Sequence, residues 1–170
     1  MNKIFKNKII LVTGHTGFKG SWLSLWLQTL GAKVSGIALE SEYESDHFQV
    51  SRLNERMPCH TIDVRHFSQI RDAIHEFKPD FVFHLAAQAL VGTAYDEPRV
   101  TFETNVNGTL NVLEALRNYH RPCMGVFITT DKCYRNIEQM RGYREDDILG
   151  SDESYGASKA CAELVIDSYR

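Results

Sequence analysis

The 170 residues contain no Cys-x-x-Cys pair. Cys59, Cys123, Cys133 and Cys161 are scattered, which leaves no close pair for metal or redox work and reads as reduced thiols used as small hydrophobes. There is no basic excess either: a net charge of −3 and a pI near 6.2 give no footprint for nucleic acid as a partner. No apolar run approaches the roughly 18 residues that a membrane span needs. The N-terminus from Met1 to Lys8 is basic, but the apolar run behind it is short and ends in glycines, so it reads as the approach to a first strand rather than a secretory signal. Low-complexity linkers and internal repeats are also missing. These absences point to the cytoplasm and away from membranes. What remains is 43% apolar residues, enough for one well-filled core at about 150 residues per domain.

Strand-like and helix-like segments alternate along the chain. Ile9-Ile10-Leu11-Val12 is a short β-branched run. Apolar residues from Phe18 to Leu30 recur at helical spacing, with Trp22, Trp26, Leu23, Leu27 and Leu30 as the predicted stripe and Gly31 as its stop. Val34 to Leu39 reads as a second strand, and Glu40 to Met57 as a polar loop with a short helix around His47–Leu53. Thr61-Ile62-Asp63 ends a third strand, and Phe67, Ile70, Ile74 and Phe77 mark the next helix. Phe81 to Leu85 is a fourth strand, nearly all apolar, as expected where both faces of a parallel sheet are covered. Phe102, Val106, Leu110, Leu113 and Leu116 stripe a long helix, Gly125 to Thr129 forms a fifth strand, and a last helix starts near Ser154 and runs to the end. This order predicts an α/β fold with a doubly wound, Rossmann-type parallel sheet. The final residues, Ile166 to Arg170, carry no closing cap. The expectation is therefore an incomplete Rossmann-type domain over 1–170, cut before its last strands, with a C-terminal substrate domain outside it.

Thr13-Gly14-His15-Thr16-Gly17-Phe18-Lys19-Gly20 has Gly-x-x-Gly-x-x-Gly spacing between a strand and a helix. Gly14 permits the tight turn and Gly17 lets backbone approach a pyrophosphate. Gly20 lets helix pack on strand, and the helix N-terminus supplies free N–H donors. In that context a dinucleotide site is a stronger reading than an ordinary glycine-rich connection. Glu40 lies where an acid would hold the ribose, and no arginine between Val34 and Val50 awaits a 2′-phosphate, which favours NAD over NADP. The bland alternative for Glu40 is a solvated loop charge. For Asp63, after the third strand, it is the cap of the next helix.

Tyr155-Gly156-Ala157-Ser158-Lys159 places Tyr155 and Lys159 one turn apart on one helix face. An ammonium near a phenol favours the phenolate, so Tyr155 is a candidate base for a sugar hydroxyl whose carbon loses hydride. Thr129-Thr130-Asp131-Lys132-Cys133-Tyr134 follows the fifth strand, at the end of the sheet where ligands of open α/β folds bind. Its adjacent acid and amine could give and take protons, or could be a loop ion pair.

These segments, with His84-Leu85-Ala86-Ala87-Gln88, Phe102-Glu103-Thr104-Asn105-Val106 and Gly142-Tyr143-Arg144-Glu145-Asp146-Asp147, resemble the CDP-glucose 4,6-dehydratases, a family of extended short-chain dehydrogenases/reductases, over nearly the whole chain. The Thr-Asp-Lys form is distinctive, because related dTDP-glucose and GDP-mannose dehydratases carry Thr-Asp-Glu or a similar acid. The resemblance implies NAD as cofactor, held by Gly14, His15, Thr16, Gly17, Phe18, Glu40, Asp63, Val64, Leu85, Ala86, Ala87, Tyr155 and Lys159, and no metal. It implies conversion of CDP-glucose to CDP-4-keto-6-deoxyglucose for deoxysugar and lipopolysaccharide biosynthesis. Tyr155 would deprotonate the C4 hydroxyl with Lys159 beside it, Thr130 would bond the C4 oxygen, Asp131 would protonate the departing C6 hydroxyl and Lys132 would be the C5 base. It also implies a homodimer paired through the helix of Tyr155. One departure is Gly92, where the family pattern has an arginine. A nucleotide-sugar 4-epimerase, another 4,6-dehydratase, and a non-catalytic dinucleotide-binding module remain alternatives.

Overall fold

The computed structural model describes residues 4–170, so Met1 to Lys3 of the basic N-terminus lie outside the described residues. The chain divides into two compact units, Met1–Ala86 with Asn111–Ile128, and Ala87–Leu110 with Thr129–Arg170.

The first unit holds a parallel sheet of β1 (Ile9–Thr13), β2 (Lys33–Ala38), β3 (Cys59–Thr61), β4 (Phe81–His84) and β5 (Met124–Phe127) in the order β3-β2-β1-β4-β5. Alternation along β1 explains why it is central. Ile10 and Val12 point into one cluster with Leu27, Val34, Phe48 and Leu53, while Leu11 points into the other with Ile37, Ile70, Ile74, Val82 and Val112. Successive side chains face opposite sides of a strand, so a strand covered on both faces must be apolar throughout. The first cluster packs beneath α1 (Phe18–Thr29) and the short α2 (His47–Val50), the second beneath α3 (Phe67–Phe77) and the later part of α6 (Gly108–Arg117). The doubly wound, Rossmann-type arrangement is therefore as the alternation predicted.

Three expectations need correction. The third strand ends at Thr61, short of Ile62-Asp63, because its pairing with β2 stops at Ala38↔Thr61. The fifth strand stops at Phe127 and is not covered on both faces: Met124 and Gly125 are exposed on a sheet edge. The third concerns α1. Its expected stripe included both tryptophans, yet Phe18, Trp22 and Trp26 are 74%, 51% and 62% exposed, and the buried residues are Gly20, Ser21, Ser24 and Leu27. The cause is close approach. A Cβ on Gly20 would lie 2.0 Å from the Gly14 carbonyl oxygen, so only small side chains fit beneath the start of α1 and the large rings turn outward.

The second unit contains α4 (Val91–Asp96), α5 (Pro98–Phe102), a π-helical turn over Glu103–Asn107 that leads into α6, a 3-10 turn at Asp131–Cys133, and α7 (Ser154–Ser168). The expected stripe of Phe102, Val106 and Leu110 is rotated by one residue: Thr101, Asn105 and Thr109 are buried instead, and Leu110 is exposed. These polar residues can be buried because each is satisfied. The Thr101 hydroxyl donates to the Glu97 carbonyl at 3.0 Å and that of Thr109 to the Asn105 carbonyl at 2.7 Å. The last helix closes at Ser168, two residues before the last residue to which it was expected to run. No described helix is long and apolar enough to cross a membrane.

Candidate active site

In the first unit the turn after β1 lies at the switch point between β1 and β4, where the strand order reverses and open α/β sheets bind ligands. Gly14 has φ +75, donates to the Ile37 carbonyl at 2.8 Å, and sits so close to β4 that a Cβ would be 2.7 Å from the Ala86 nitrogen. Glycine is required there by backbone conformation and space alike. Gly20 is required by its approach to Gly14. Gly17 differs: its φ is −70, and an added Cβ would meet only the Gly14 oxygen, at an ordinary 3.4 Å. Nothing in the fold calls for glycine at the N-cap of α1, so the remaining reason is room for a ligand against the free N–H groups of the helix. The residues present fit a dinucleotide pyrophosphate.

Thr13 ties the far side of this site together. Its hydroxyl accepts from the Leu85 and Ala86 amides at 3.2 and 3.1 Å and pairs with His84 Nδ1 at 2.7 Å. With both acceptor positions occupied, the hydroxyl donates to His84, which fixes Nδ1 as an acceptor. The segment expected to face the cofactor is thus held by a residue that sequence reading passed over. Nearby, a cavity of about 260 Å3 is lined by His15, Thr16, Glu40, Ser41 and Phe48. The Thr16 hydroxyl donates to the Leu39 carbonyl at 3.0 Å. His15 itself is turned inward, its ring edge-on to Phe48 at 5.2 Å, with Nδ1 unpaired. Burial pushes its pKa down to about 4, only partly offset by the Ile37 carbonyl. Glu40 is exposed, as are Phe18 and the rim of the cavity. Asp63 is not a helix cap. Its carboxylate is held below the usual range by the Arg65 guanidinium, 2.6 Å away, and it accepts the Arg65 amide, while His66 is the N-cap of α3. Val64 beside it is buried in the core.

In the second unit Thr130 caps the 3-10 turn, its hydroxyl accepting from the Lys132 amide at 3.3 Å and donating to Asp131 at 3.1 Å. Asp131 and Lys132 are exposed and open on a cavity of about 400 Å3 lined also by Tyr95, Tyr134, Tyr143 and Glu153, a volume ordinary for small-molecule sites. Tyr134 and Tyr143 stack along it at 5.1 Å. Thr130, Tyr155 and Lys159 do not line this cavity. They are joined to its wall through α7, whose start is fixed by Glu153: its carboxylate accepts from the Tyr155 and Gly156 amides at 2.7 and 2.6 Å. Tyr155 is half-buried and Lys159 is 5% exposed. A Cβ on Gly156 would lie 2.6 Å from the Lys132 carbonyl oxygen, so the first turn of α7 abuts the turn of Asp131 and Lys132.

A further support joins residues of two motif segments, Gln88 and Asn105, to which motif reading gave no role. Asn105, in the π-helical turn, accepts the Gln88 amide at 2.8 Å and donates to the Gln88 carbonyl at 3.0 Å and to Ser158 Oγ at 2.9 Å. Ser158 donates in turn to the Tyr155 carbonyl at 2.7 Å. Ala87 lies beside Gln88, half-buried, and a side chain at Gly92 would meet open space, so packing does not demand glycine there. Among the described residues no group of three or more His, Cys, Asp or Glu side chains could hold a metal ion.

The sequence model of the family described as GDP-mannose 4,6 dehydratase matches residues 11–170. The chain is 48% identical over 166 residues to a CDP-glucose 4,6-dehydratase of Salmonella typhimurium, covering 98% of this chain and 46% of that protein. It is 31% identical to a CDP-paratose 2-epimerase of Salmonella typhi, covering 94% of this chain and 52% of the relative. Among solved structures, a UDP-glucose 4-epimerase of Thermus thermophilus in complex with NAD superposes with a TM-score of 0.81 at 29% identity, over 94% of this chain and 50% of that one. The chain spans about half the length of the curated relatives it matches.

Proposed function

Because the chain belongs to the GDP-mannose 4,6 dehydratase family, we propose that the whole protein is an NAD-dependent hydro-lyase that converts a nucleotide-activated hexose to its 4-keto-6-deoxy product, with CDP-glucose as the substrate. The observation that carries this reading is the placement of Asp131 and Lys132: an acid and an amine open on a sugar-sized cavity and abut the first turn of the helix that bears Tyr155 and Lys159. The CDP-glucose assignment is supported by the 48% identical relative.

NAD, when bound, accepts a hydride from the sugar C4 and returns it at C6, so the reaction has no net redox change. Gly14, Gly17 and the N-terminus of α1 would hold its pyrophosphate, Leu85 to Ala87 would line the same site, and Glu40 would bond its ribose. Tyr155 takes the proton of the C4 hydroxyl with Lys159 one turn further along the same helix, and Thr130 bonds the C4 oxygen. The C4 ketone acidifies C5, whose proton passes to Lys132 and is returned to C5 as the hydride reaches C6. Asp131 gives a proton to the C6 hydroxyl, which leaves as water. Substrate contacts from a domain outside residues 1–170, homodimerisation through α7, a cytoplasmic location and a role in lipopolysaccharide deoxysugar synthesis belong to the same proposal.

The test is to incubate full-length enzyme separately with CDP-, dTDP- and UDP-glucose and GDP-mannose and to identify the products by mass and alkaline absorbance. A product one water lighter, formed fastest from CDP-glucose, is expected. A product of unchanged mass would make the protein an epimerase instead, and faster turnover of another nucleotide sugar would overturn the CDP assignment.

A further inference from the structure

Two turns beyond Tyr155 and one beyond Lys159, Glu163 occupies the same face of α7. Its Oε1 accepts a hydrogen bond from the hydroxyl of Thr129, the residue immediately before Thr130-Asp131-Lys132. The segment after Thr129 meets α7 a second time at Gly156, whose Cα approaches the Lys132 carbonyl so closely that no side chain would fit. Cys133, 2% exposed, is buried in the same turn. The Glu163 carboxylate is near enough to help raise the Cys133 thiol and the Tyr134 phenol, although burial is the larger cause for both. The turn is therefore attached to α7 at two levels, by close packing at the first turn of the helix and by one charge-assisted hydrogen bond two turns later.

We infer that Glu163 is a positioning residue for dehydration: by holding Thr129 it keeps Asp131 and Lys132 in register with Tyr155 and Lys159. This rests on the reaction proposed above. A hydroxyl bound to a carboxylate is roughly twice as strong as a neutral pair, and a displacement of about 1 Å at a catalytic group can cost about 10²-fold in rate. The two chemical steps depend on the tether unequally. Oxidation at C4 uses Tyr155 and Lys159, which α7 carries itself, and takes only the Thr130 hydrogen bond from the tethered turn. Elimination draws both its acid and its base, Asp131 and Lys132, from that turn. Loosening the tether therefore slows the second step far more than the first.

The experiment uses full-length enzyme with CDP-glucose and the variants Glu163→Leu, Glu163→Gln and Thr129→Val. Cofactor reduction, 4-keto-6-deoxy product and thermal midpoint are followed for each. Glu163→Leu should slow elimination on the order of 10- to 100-fold, with C4 oxidation changed less than about threefold and reduced cofactor accumulating. Glu163→Gln keeps an acceptor at the same reach and should recover most of the loss. Thr129→Val should copy Glu163→Leu, and the double variant should be no worse than either, because both remove one contact. Equal slowing of both steps, a Gln variant as impaired as Leu, or an unimpaired Leu variant overturns the inference. If wild-type enzyme dehydrates no nucleotide sugar, the proposed reaction fails and the tether is decided by amide exchange. The Cys133 and Tyr134 amides, bonded within the turn at 3.2 and 3.1 Å, should then exchange faster in Glu163→Leu but not in Glu163→Gln. Unchanged exchange in Glu163→Leu refutes the tether itself.

Discussion

Replacing Asn105 by leucine keeps the branched shape, adds some volume and removes three hydrogen bonds at a side chain that is 0% exposed. The Gln88 amide loses its acceptor and the Gln88 carbonyl its donor, formed at 2.8 and 3.0 Å. Ser158 loses only one of its contacts, since its hydroxyl still donates to the Tyr155 carbonyl. An unsatisfied buried backbone group costs about 1–3 kcal/mol. The two Gln88 groups are only partly buried, so together they predict a loss of about 1–3 kcal/mol, still a sizeable share of the about 5–15 kcal/mol that holds an ordinary domain together. Urea unfolding followed by circular dichroism measures it, and a loss below about 0.5 kcal/mol, the range of neutral surface changes, would refute the reasoning. Asn105→Asp adds a sign to the test. The carboxylate can still accept the Gln88 amide, but it places an acceptor against the Gln88 carbonyl and Ser158 Oγ, so folding favours the protonated acid. Its deficit should be smallest below the ordinary carboxyl range near 4 and should grow as pH rises through it.

Gly17→Ala should leave the unfolding free energy within about 1 kcal/mol of wild type, because its Cβ has ordinary space, while calorimetric NAD binding is lost; unimpaired binding would remove the pyrophosphate from that turn. NAD should bind more tightly than NADP, because in the ribose role proposed for Glu40 its carboxylate would repel a 2′-phosphate, and the reverse order in the same calorimeter would overturn the ribose assignment. His15, with its folded pKa near 4 against an ordinary 6.5, favours the neutral state on folding. Its contribution is complete above about pH 6.5 and about 3 kcal/mol is lost as pH falls to 4, so His15→Phe should flatten the acid limb of the stability–pH curve, and an unchanged limb would assign that loss to other groups. In full-length enzyme Asp131→Asn and Lys132→Met should still permit cofactor reduction but lower product formation by about 10²–10⁴-fold, whereas Tyr155→Phe blocks both. Near-normal dehydration by the first two would return Asp131 and Lys132 to a surface ion pair.

What could be read from sequence and what could not divide along a physical line in α1. The strand, the glycine turn and the helix were all legible, because Gly14 and Gly20 are required by backbone geometry that only glycine meets. The face of the helix was not. Apolar periodicity assumes that large apolar side chains point inward, but the close contact that Gly20 makes possible leaves space beneath the start of α1 only for the small Ser21 and Ser24, and a large side chain, Leu27, is buried only further along. The glycine spacing itself carried the warning: a helix packed that closely on its strand cannot also bury two tryptophans there.

The site follows the same division. Tyr155 and Lys159 stood out as candidates because four residues is one helical turn, and Asp131 and Lys132 because they lie just past the end of the fifth strand. Their supports lie at sequence separations of 17 for Gln88 with Asn105, 53 for Asn105 with Ser158 and 34 for Thr129 with Glu163. No local period encodes such pairs, and each partner alone is an unremarkable polar residue on a helix or at a strand end. What a sequence can show is the cost they would carry if unpaired: an Asn in the middle of an apolar helix pattern must either face solvent or find donors and acceptors for its whole amide. Asn105 does the second, in a π-helical turn. The sequence therefore shows directly which groups are candidates for the chemistry, but only as an unresolved polar burden which residues support them, and in this chain that burden falls on Asn105, Glu153 and Glu163.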